Sequence, residues 1–119
     1  MTTEIIFRIF IAAILGSIIG LEREYRAKEA GLRTHLLVAS GSALFMIISQ
    51  YGFGNVLYAH SNISFDPSRI ASQVVTGIGF IGAGTIIFQK HVIKGLTTAA
   101  GLWVTSAIGL ACGSGMYIL

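Results

Sequence analysis

The sequence predicts an all-α fold, a polytopic transmembrane helix bundle with about four spans, from its composition and from four long apolar stretches. Of the 119 residues, 54% are hydrophobic and 11% are charged, and there are 15 glycines and one proline. A soluble domain is about a quarter charged, whereas glycine is more frequent in transmembrane than in soluble helices. The composition therefore excludes a water-soluble globule. The length has room for a single transmembrane domain, residues 1–119, and for no soluble domain beside it.

The four apolar stretches are each near the length of about 20 residues that crosses a membrane. They cover residues 5–21, 36–53, 70–88 and 96–119. The first is not a cleaved signal peptide, because a charged run beginning at Glu22 follows it without a small-residue cleavage site. Arg8 within it can snorkel outward or pair with Glu4 one helical turn earlier.

The third span is expected to begin at Asp66-Pro67-Ser68-Arg69. Aspartate can cap the free N–H groups of a helix, and proline fits the first helical position because it needs no N–H there. The preceding linker, residues 51–65, is rich in Gly, Asn and Ser, which is typical of an exposed loop. Asp66 and Arg69 can also form an ion pair.

Basic residues predict the orientation of the chain in the membrane. Those between the first two spans are Arg23, Arg26, Lys28 and Arg33, and those between the last two are Lys90 and Lys94. The linker 51–65 contains neither Lys nor Arg. The positive-inside rule therefore places the first and third loops in the cytoplasm and the N-terminus outside.

Small residues recur at helical spacing and predict close helix packing. The first span carries Ala12, Gly16 and Gly20 at four-residue intervals, and the fourth carries Gly101, Thr105, Gly109 and Gly113. Such stripes let two helix backbones approach each other within a membrane. The third span adds Gly77, Gly79, Gly82 and Gly84, and Trp103 is expected to pack or to anchor a span end. The Gly-x-Gly-x-x-Gly string at Gly77–Gly82 lies in mid-span, where a dinucleotide site is not expected.

Polar residues near the span ends are the candidate functional groups. They are Glu22, Arg23, Glu24, Arg33, Thr34, His35, Asp66, Arg69, Gln73, Thr97 and Thr98. Those around the first loop can clamp spans one and two by ion pairing, recognise a partner, or serve as ordinary interfacial anchors. Gln73 is expected to face neighbouring helices, and His35 can titrate near physiological pH.

The residue types disfavour an enzyme and a metal site. The sequence has a single cysteine, Cys112, and lacks a Ser/His/Asp set, a P-loop and a His/Cys cluster with metal spacing. All five acidic residues fall at predicted span ends, whereas Mg²⁺ prefers oxygen ligands. We therefore expect neither a cofactor nor magnesium transport by a single copy. A pore formed between several copies is left as an alternative.

Five ordered blocks resemble the MgtC/SapB family. They are Gly20–Glu24, Ala30–His35, Asp66–Ala71, Gly77–Gly84 and Gly95–Trp103, and they cover nearly the whole chain. The resemblance implies a bacterial inner-membrane protein with about five spans in many members, some of which carry a cytoplasmic C-terminal domain. On this basis we expect that a fifth span of the family is missing here.

The resemblance also implies a role in adaptation to low magnesium and acid. In the virulence branch of the family it implies survival inside phagocytes and restraint of the F-type ATP synthase. That branch tends to have Asn at the place of Thr97 and Cys at the place of Val104, so this sequence is more similar to the wider SapB-like group.

Our leading hypothesis is a protein that modulates a membrane partner or ion homeostasis during magnesium limitation or acid stress. The main alternative is an oligomeric Mg²⁺ or proton transporter or channel, and a third is a scaffold that lacks its regulatory domain. Homo-oligomers within the lipid bilayer are expected in either of the first two cases, because four short helices bury only a small common core.

Overall fold

The computed structural model describes residues 2–60, 62 and 64–118. In chain order, the elements are α1 (Thr2–Tyr25), α2 (Leu32–Tyr51), α3 (Gly54–Ala59), α4 (Arg69–Ala83), β1 (Ile87–Gln89), β2 (Val92–Lys94) and α5 (Leu96–Ser114). The fold is thus mostly helical, as predicted. It departs from all-α in one place, where β1 and β2 pair as an antiparallel hairpin.

Helices α1, α2 and α5 pack into a three-helix unit with α2 in contact with both of the others. Its buried cluster consists of Ala12, Ala39, Ala43 and Cys112, with Ile11 and Ile108 against it. These side chains are small, and small side chains let helix backbones come close in the absence of a hydrophobic driving force. Helix α4 lies beside this unit and contacts α5 and α2.

Three described helical segments are long and apolar enough to cross a membrane, Thr2–Tyr25, Leu32–Ala59 and Leu96–Ser114. They correspond to the first, second and fourth predicted spans. The second begins four residues earlier than expected, at Leu32, and the helix of the fourth ends at Ser114 before Gly115, whose φ is +85°. A left-handed glycine is a common end to a helix.

The third predicted span, 70–88, is not confirmed by the structure, in which the helix there is shorter. Helix α4 has 15 residues, or about 22 Å at 1.5 Å per residue, against a hydrocarbon core of about 30 Å. The chain leaves the helix at Gly84, and residues 87–89 form strand β1 instead. Ile87 and Phe88 belong to residue types that favour strands, and hydropathy alone does not distinguish a short apolar strand from a helix.

The linker 51–65 is also more ordered than a loop over part of its length, because α3 occupies Gly54–Ala59. Ser61 and Ile63 of this linker, and the predicted end of the last span at Leu119, lie outside the described residues.

Candidate functional site

One end of the three-helix unit is held by Arg8, a buried side chain of α1 that is 8% exposed. Its Nη1 donates hydrogen bonds to the Gly113 carbonyl at 2.9 Å, to the Tyr51 hydroxyl at 3.3 Å and to Gln50 Oε1 at 3.5 Å. Its Nη2 lies 2.8 Å from Glu4 Oε1 in a salt bridge. One guanidinium therefore ties α1 to the ends of both α2 and α5.

Arg8 was not among the candidate residues from the sequence. Its pairing with Glu4 was one of two predicted states, but its contacts with α2 and α5 were not predicted. The sequence does contain a signal for these contacts, namely an arginine inside an apolar span. An ionisable residue at such a position normally faces other helices and has partners there. The Arg8 guanidinium carbon also lies 5.6 Å from the centre of the Tyr51 ring, within range of a cation–π interaction.

The opposite end of the unit brings two predicted residues together. Arg23, near the end of α1, donates from Nε and Nη2 to the Glu29 carbonyl, at 3.2 and 3.0 Å, and also from Nη2 to the Thr98 hydroxyl. Thr98 is buried in the first turn of α5, whereas Thr97 beside it is exposed. Arg23 thus joins α1, the first loop and α5.

The other predicted residues around the first loop are spread more widely. Glu22 pairs with Arg26 on its own helix at 3.3 Å, Glu24 lies against Gly31, Arg33 is exposed, and Thr34 is half-buried. In the described part of the chain, an ion pair does not clamp α1 to α2. The Arg23 hydrogen bonds connect α1 to the first loop and to α5 instead.

His35 lies within α2 rather than in the loop. It is 1% exposed, and its Nδ1 is 3.0 Å from the Gly31 carbonyl one turn earlier. The position is explained by close contact with α1, because a Cβ added at Gly16 would lie 2.6 Å from the His35 carbonyl oxygen. His35 is thus part of the helix contact.

Asp66 forms a turn that leads into α4. Its Oδ1 accepts hydrogen bonds from the Ser68 N–H at 2.9 Å and from the Ser68 hydroxyl at 2.7 Å. These bonds stabilise the carboxylate and hold the pKa of Asp66 below its ordinary value. Asp66 therefore does not cap α4 as expected, because α4 begins at Arg69 and its N-cap residue is Ser68, where no side-chain cap hydrogen bond is made. The Ser49 hydroxyl donates to the Pro67 carbonyl and ties this turn to α2.

Four predicted packing glycines lie against backbone atoms of α2 or of the residue before it. A Cβ added at Gly20 would be 2.5 Å from Leu32 Cα, and one at Gly113 would be 2.5 Å from the Ala43 carbonyl oxygen. Gly16 and Gly109 face the backbone around His35 and Ala39 in the same way. Since even one methyl group has no room, the stripes of α1 and α5 both require glycine at these contacts.

Other predicted packing residues lack such contacts. A Cβ at Gly82 would be in ordinary contact with Ala99, and one at Gly84 would meet only its own helix end. Open space surrounds the Cβ positions of Gly77, Gly79 and Gly101, and Trp103 is 57% exposed. The packing expected of these four residues is not made within the described part of the chain.

A groove of about 450 Å³ separates α2 from α4. Its lining is apolar apart from Ser42 and Gln73, and it contains a glycine on each side, Gly41 and Gly77. The lining residues are Leu37, Val38, Gly41, Ser42, Phe45, Ile70, Gln73, Val74, Gly77, Ile78 and Ile81. Gln73 is therefore on a wall of this groove rather than in a closed helix contact.

Comparison of the sequence with known proteins identifies the family of this chain. The model of the MgtC family matches residues 9–119. The chain is 60% identical to the "Putative magnesium transporter YhiD" of Escherichia coli strain K12 over 119 residues, which are 100% of this chain and 55% of that protein. It is 45% identical to the uncharacterized protein slr0014 of Synechocystis over 114 residues, 96% of this chain and 45% of that protein.

A third relative is the protein MgtC of Brucella abortus, 44% identical over 105 residues, which are 88% of this chain and 40% of that protein. The chain thus spans about half the length of the curated relatives it matches, and no solved structure matches it significantly. With its apolar helices, the chain is a membrane protein, and the family match over residues 9–119 confirms the resemblance drawn from the sequence blocks. This chain belongs to the MgtC family.

Proposed function

We propose that the chain serves magnesium homeostasis in a bacterial inner membrane by binding a transmembrane helix of another membrane protein in the α2–α4 groove. The response would operate during magnesium limitation or acid stress, with the first and third loops in the cytoplasm. The observation that carries this proposal is the groove itself, an apolar concavity between α4 and the three-helix unit, whose own helix contacts are closed.

The groove has the features that favour helix association in lipid. Gly41 on α2 and Gly77 on α4 present no side chain, so an incoming backbone can come close to both walls. Close approach is the main source of helix affinity in a membrane, where lipid already solvates apolar side chains. The F-type ATP synthase, the partner that the resemblance implies for the virulence branch of the family, is the candidate that we propose to test.

The distribution of charge favours this role over ion conduction by a single copy. Mg²⁺ is normally bound by carboxylates or by several converging oxygens. The five carboxylates, Glu4, Glu22, Glu24, Glu29 and Asp66, are all exposed and lie at or between helix ends. The charged side chain buried within the packed unit is cationic, Arg8, and it repels a divalent cation.

A second candidate function rests on Gln73. Its side-chain amide belongs to a groove wall, and two copies that faced each other across their grooves would bring two such amides together. A homo-oligomer of this kind would form an ion path between subunits, in keeping with the magnesium transport named for the Escherichia coli relative. The two candidates make opposite predictions for flux.

The test of the first candidate compares two glycines of α4. Gly77→Leu fills the groove, whereas Gly79→Leu adds the same side chain at a position that also has open space but does not line the groove. We expect the chain to restore growth at low magnesium to a bacterial strain that lacks its own family members. Gly77→Leu should lose that growth and the co-purification of the ATP synthase, and Gly79→Leu should retain both. Equal behaviour of the two variants would contradict the docking role.

The second candidate is tested by magnesium flux into sealed proteoliposomes, with empty vesicles as the control. Saturable flux that Gln73→Leu abolishes, while helix content by circular dichroism stays unchanged, would favour the transporter. Tight vesicles that contain folded protein would favour the partner-binding role. The flux measurement therefore separates the two functions even if Gly77→Leu and Gln73→Leu both impair growth.

A further inference from the structure

The β1–β2 hairpin exposes four large apolar side chains. Ile87, Phe88, Val92 and Ile93 are each more than half exposed. Lys90, His91 and Lys94 are exposed beside them. Four large apolar side chains with two lysines are not a composition that is stable in water alone, because burying each apolar side chain is favourable.

Strand pairing divides these side chains between two faces. Phe88 lies opposite Ile93, and Ile87 lies opposite Lys94. Because successive strand residues point to opposite faces, Phe88 and Ile93 share one face, and Ile87 shares the other with Lys94. The His91 ring lies edge-on to Phe88, with ring centroids 6.4 Å apart. Lys90 lies in the turn, at the tip of the hairpin. The hairpin is thus amphipathic in a way that separates its apolar pair from its charges.

The base of the hairpin lies near the charged end of the three-helix unit. The Thr85 hydroxyl lies 3.4 Å from the Gly95 carbonyl, and Gly95 immediately precedes α5. The first turn of α5 contains Thr98, which accepts the hydrogen bond from Arg23. Arg23 belongs to the charged run that follows the apolar part of α1, and such runs lie at the membrane surface. The hairpin therefore begins at the level of the lipid headgroups.

We propose that the β1–β2 hairpin is a binding site for acidic phospholipids. The Phe88–Ile93 face enters the boundary of the acyl chains, and Lys90 and Lys94 bind headgroup phosphates. Long lysine stems can lie along apolar surface while the ammonium group reaches the charged layer. Headgroup depth also suits the backbone, because the outer edges of a two-stranded hairpin leave polar groups that water must satisfy and hydrocarbon cannot.

The experiment places a single fluorescent reporter on the apolar face. Trp103 is the only tryptophan in the sequence, so Trp103→Phe gives a background in which Phe88→Trp is the sole reporter. The full chain is reconstituted in vesicles of phosphatidylcholine with a minor fraction of phosphatidylglycerol. One lipid or the other carries bromine on the acyl carbons nearest the glycerol. We expect brominated phosphatidylglycerol to quench the Phe88→Trp reporter up to about fivefold more than the same fraction of brominated phosphatidylcholine, the order expected for one lysine at an acidic surface.

Two sets of variants make the result decisive. Lys90→Asn with Lys94→Gln should abolish the lipid preference, and Asn at position 90 suits the positive φ of 52° found there. A reporter at Phe10, which is 62% exposed on α1, should be quenched equally by the two lipids. Ile93→Trp provides a second reporter on the same face in case Phe88→Trp does not fold.

Three outcomes would overturn the proposal. They are equal quenching of the hairpin reporter by both lipids, a preference that survives the lysine variants, and quenching by aqueous iodide as strong as that of free tryptophan. The last result would mean that the hairpin lies in water. Bulk inorganic phosphate added to the vesicles should leave the preference unchanged, because the bound phosphate belongs to a lipid.

Discussion

Arg23 of α1 and Thr98 of α5 are joined by a hydrogen bond across 75 positions of the chain, and Arg23 also donates to the Glu29 carbonyl in the loop between α1 and α2. At the other end of the same helices, Arg8 holds the Gly113 carbonyl. The antiparallel pair α1 and α5 is therefore connected near both ends by an arginine of α1, while α2 packs against both helices along their length.

The Thr98 hydroxyl is expected to contribute to stability through Arg23. Thr98→Val keeps the shape of the side chain but leaves the guanidinium without that acceptor, and we expect a loss of about 1 kcal/mol in the free energy of unfolding. Thr97→Val, at the exposed neighbouring position, is the matched control and should change stability by less than about 0.5 kcal/mol. Denaturant unfolding in mixed micelles measures both. Equal losses would show that the threonines act through helix propensity instead.

Gly109 is expected to tolerate no side chain. A Cβ there would contact the Ala39 carbonyl and lie 2.7 Å from Ser42 Cβ, so α2 and α5 must separate. We expect Gly109→Ala to lower the free energy of unfolding by about 1–3 kcal/mol. Gly101→Ala, on the same helix with open space around its Cβ position, should be neutral or slightly stabilising because alanine favours helix. Comparable destabilisation by the two would contradict the α2–α5 contact.

Arg8 and Tyr51 are expected to be energetically coupled. Tyr51→Phe removes the hydroxyl that lies 3.3 Å from Arg8 Nη1, and it should cost about 1 kcal/mol in the native background. In an Arg8→Met background the same change should cost nearly nothing. Tyr58→Phe, at a side chain that is 95% exposed, serves as the control in both backgrounds. Additive effects in this double-mutant cycle would mean that the hydroxyl does not bind the guanidinium.

Asp66 is expected to titrate below its ordinary pKa of 3.8, because the hydroxyl and the N–H of Ser68 stabilise its carboxylate. A pKa that is lower in the folded than in the unfolded state means that the carboxylate stabilises the fold above the unfolded value. That contribution is lost as the pH falls through the lowered folded value. Carbon-detected NMR titration of the Asp66 carboxyl measures it directly.

Ser68→Ala is expected to raise the pKa of Asp66 toward its ordinary value, since it removes the hydrogen bond at 2.7 Å. Ser64→Ala changes an exposed serine of the same loop and should leave the pKa where it is. If Ser68→Ala leaves the titration unmoved, the turn is not the cause of the lowered pKa.

Much of the helical framework follows from local pattern. The apolar length predicts α1, α2 and α5, and the four-residue spacing of small residues predicts that Gly16 and Gly109 lie in helix contacts. Their common neighbour, α2, was not predictable, because spacing along one helix carries no information about the helix it meets. Arg8 was missed as a junction for the same reason, since its partner Gly113 is 105 positions away.

The hairpin was missed for a different physical reason. Residues 84–88 continue the apolar character of α4, and hydropathy measures transfer to lipid without regard to backbone conformation. The structural signals were Gly84, where α4 ends, and Gly95, whose φ of +92° a side chain would strain. The contact of Arg23 with Thr98 was not predictable either, because the position of Thr98 at the start of α5 depends on the path of the hairpin that precedes it.

The distant partnership of Arg8 has a consequence for biogenesis. Helix α1 leaves the ribosome with a charge whose closest backbone acceptor, the Gly113 carbonyl at 2.9 Å, is made only 105 residues later. Before Gly113 is made, Glu4 is available one helical turn away as the partner of Arg8. We expect the Arg8–Glu4 ion pair to enter the bilayer together. Insertion of α5 then supplies the missing acceptor. Correct assembly of the three-helix unit therefore depends on α1 and α5 meeting after both have been inserted.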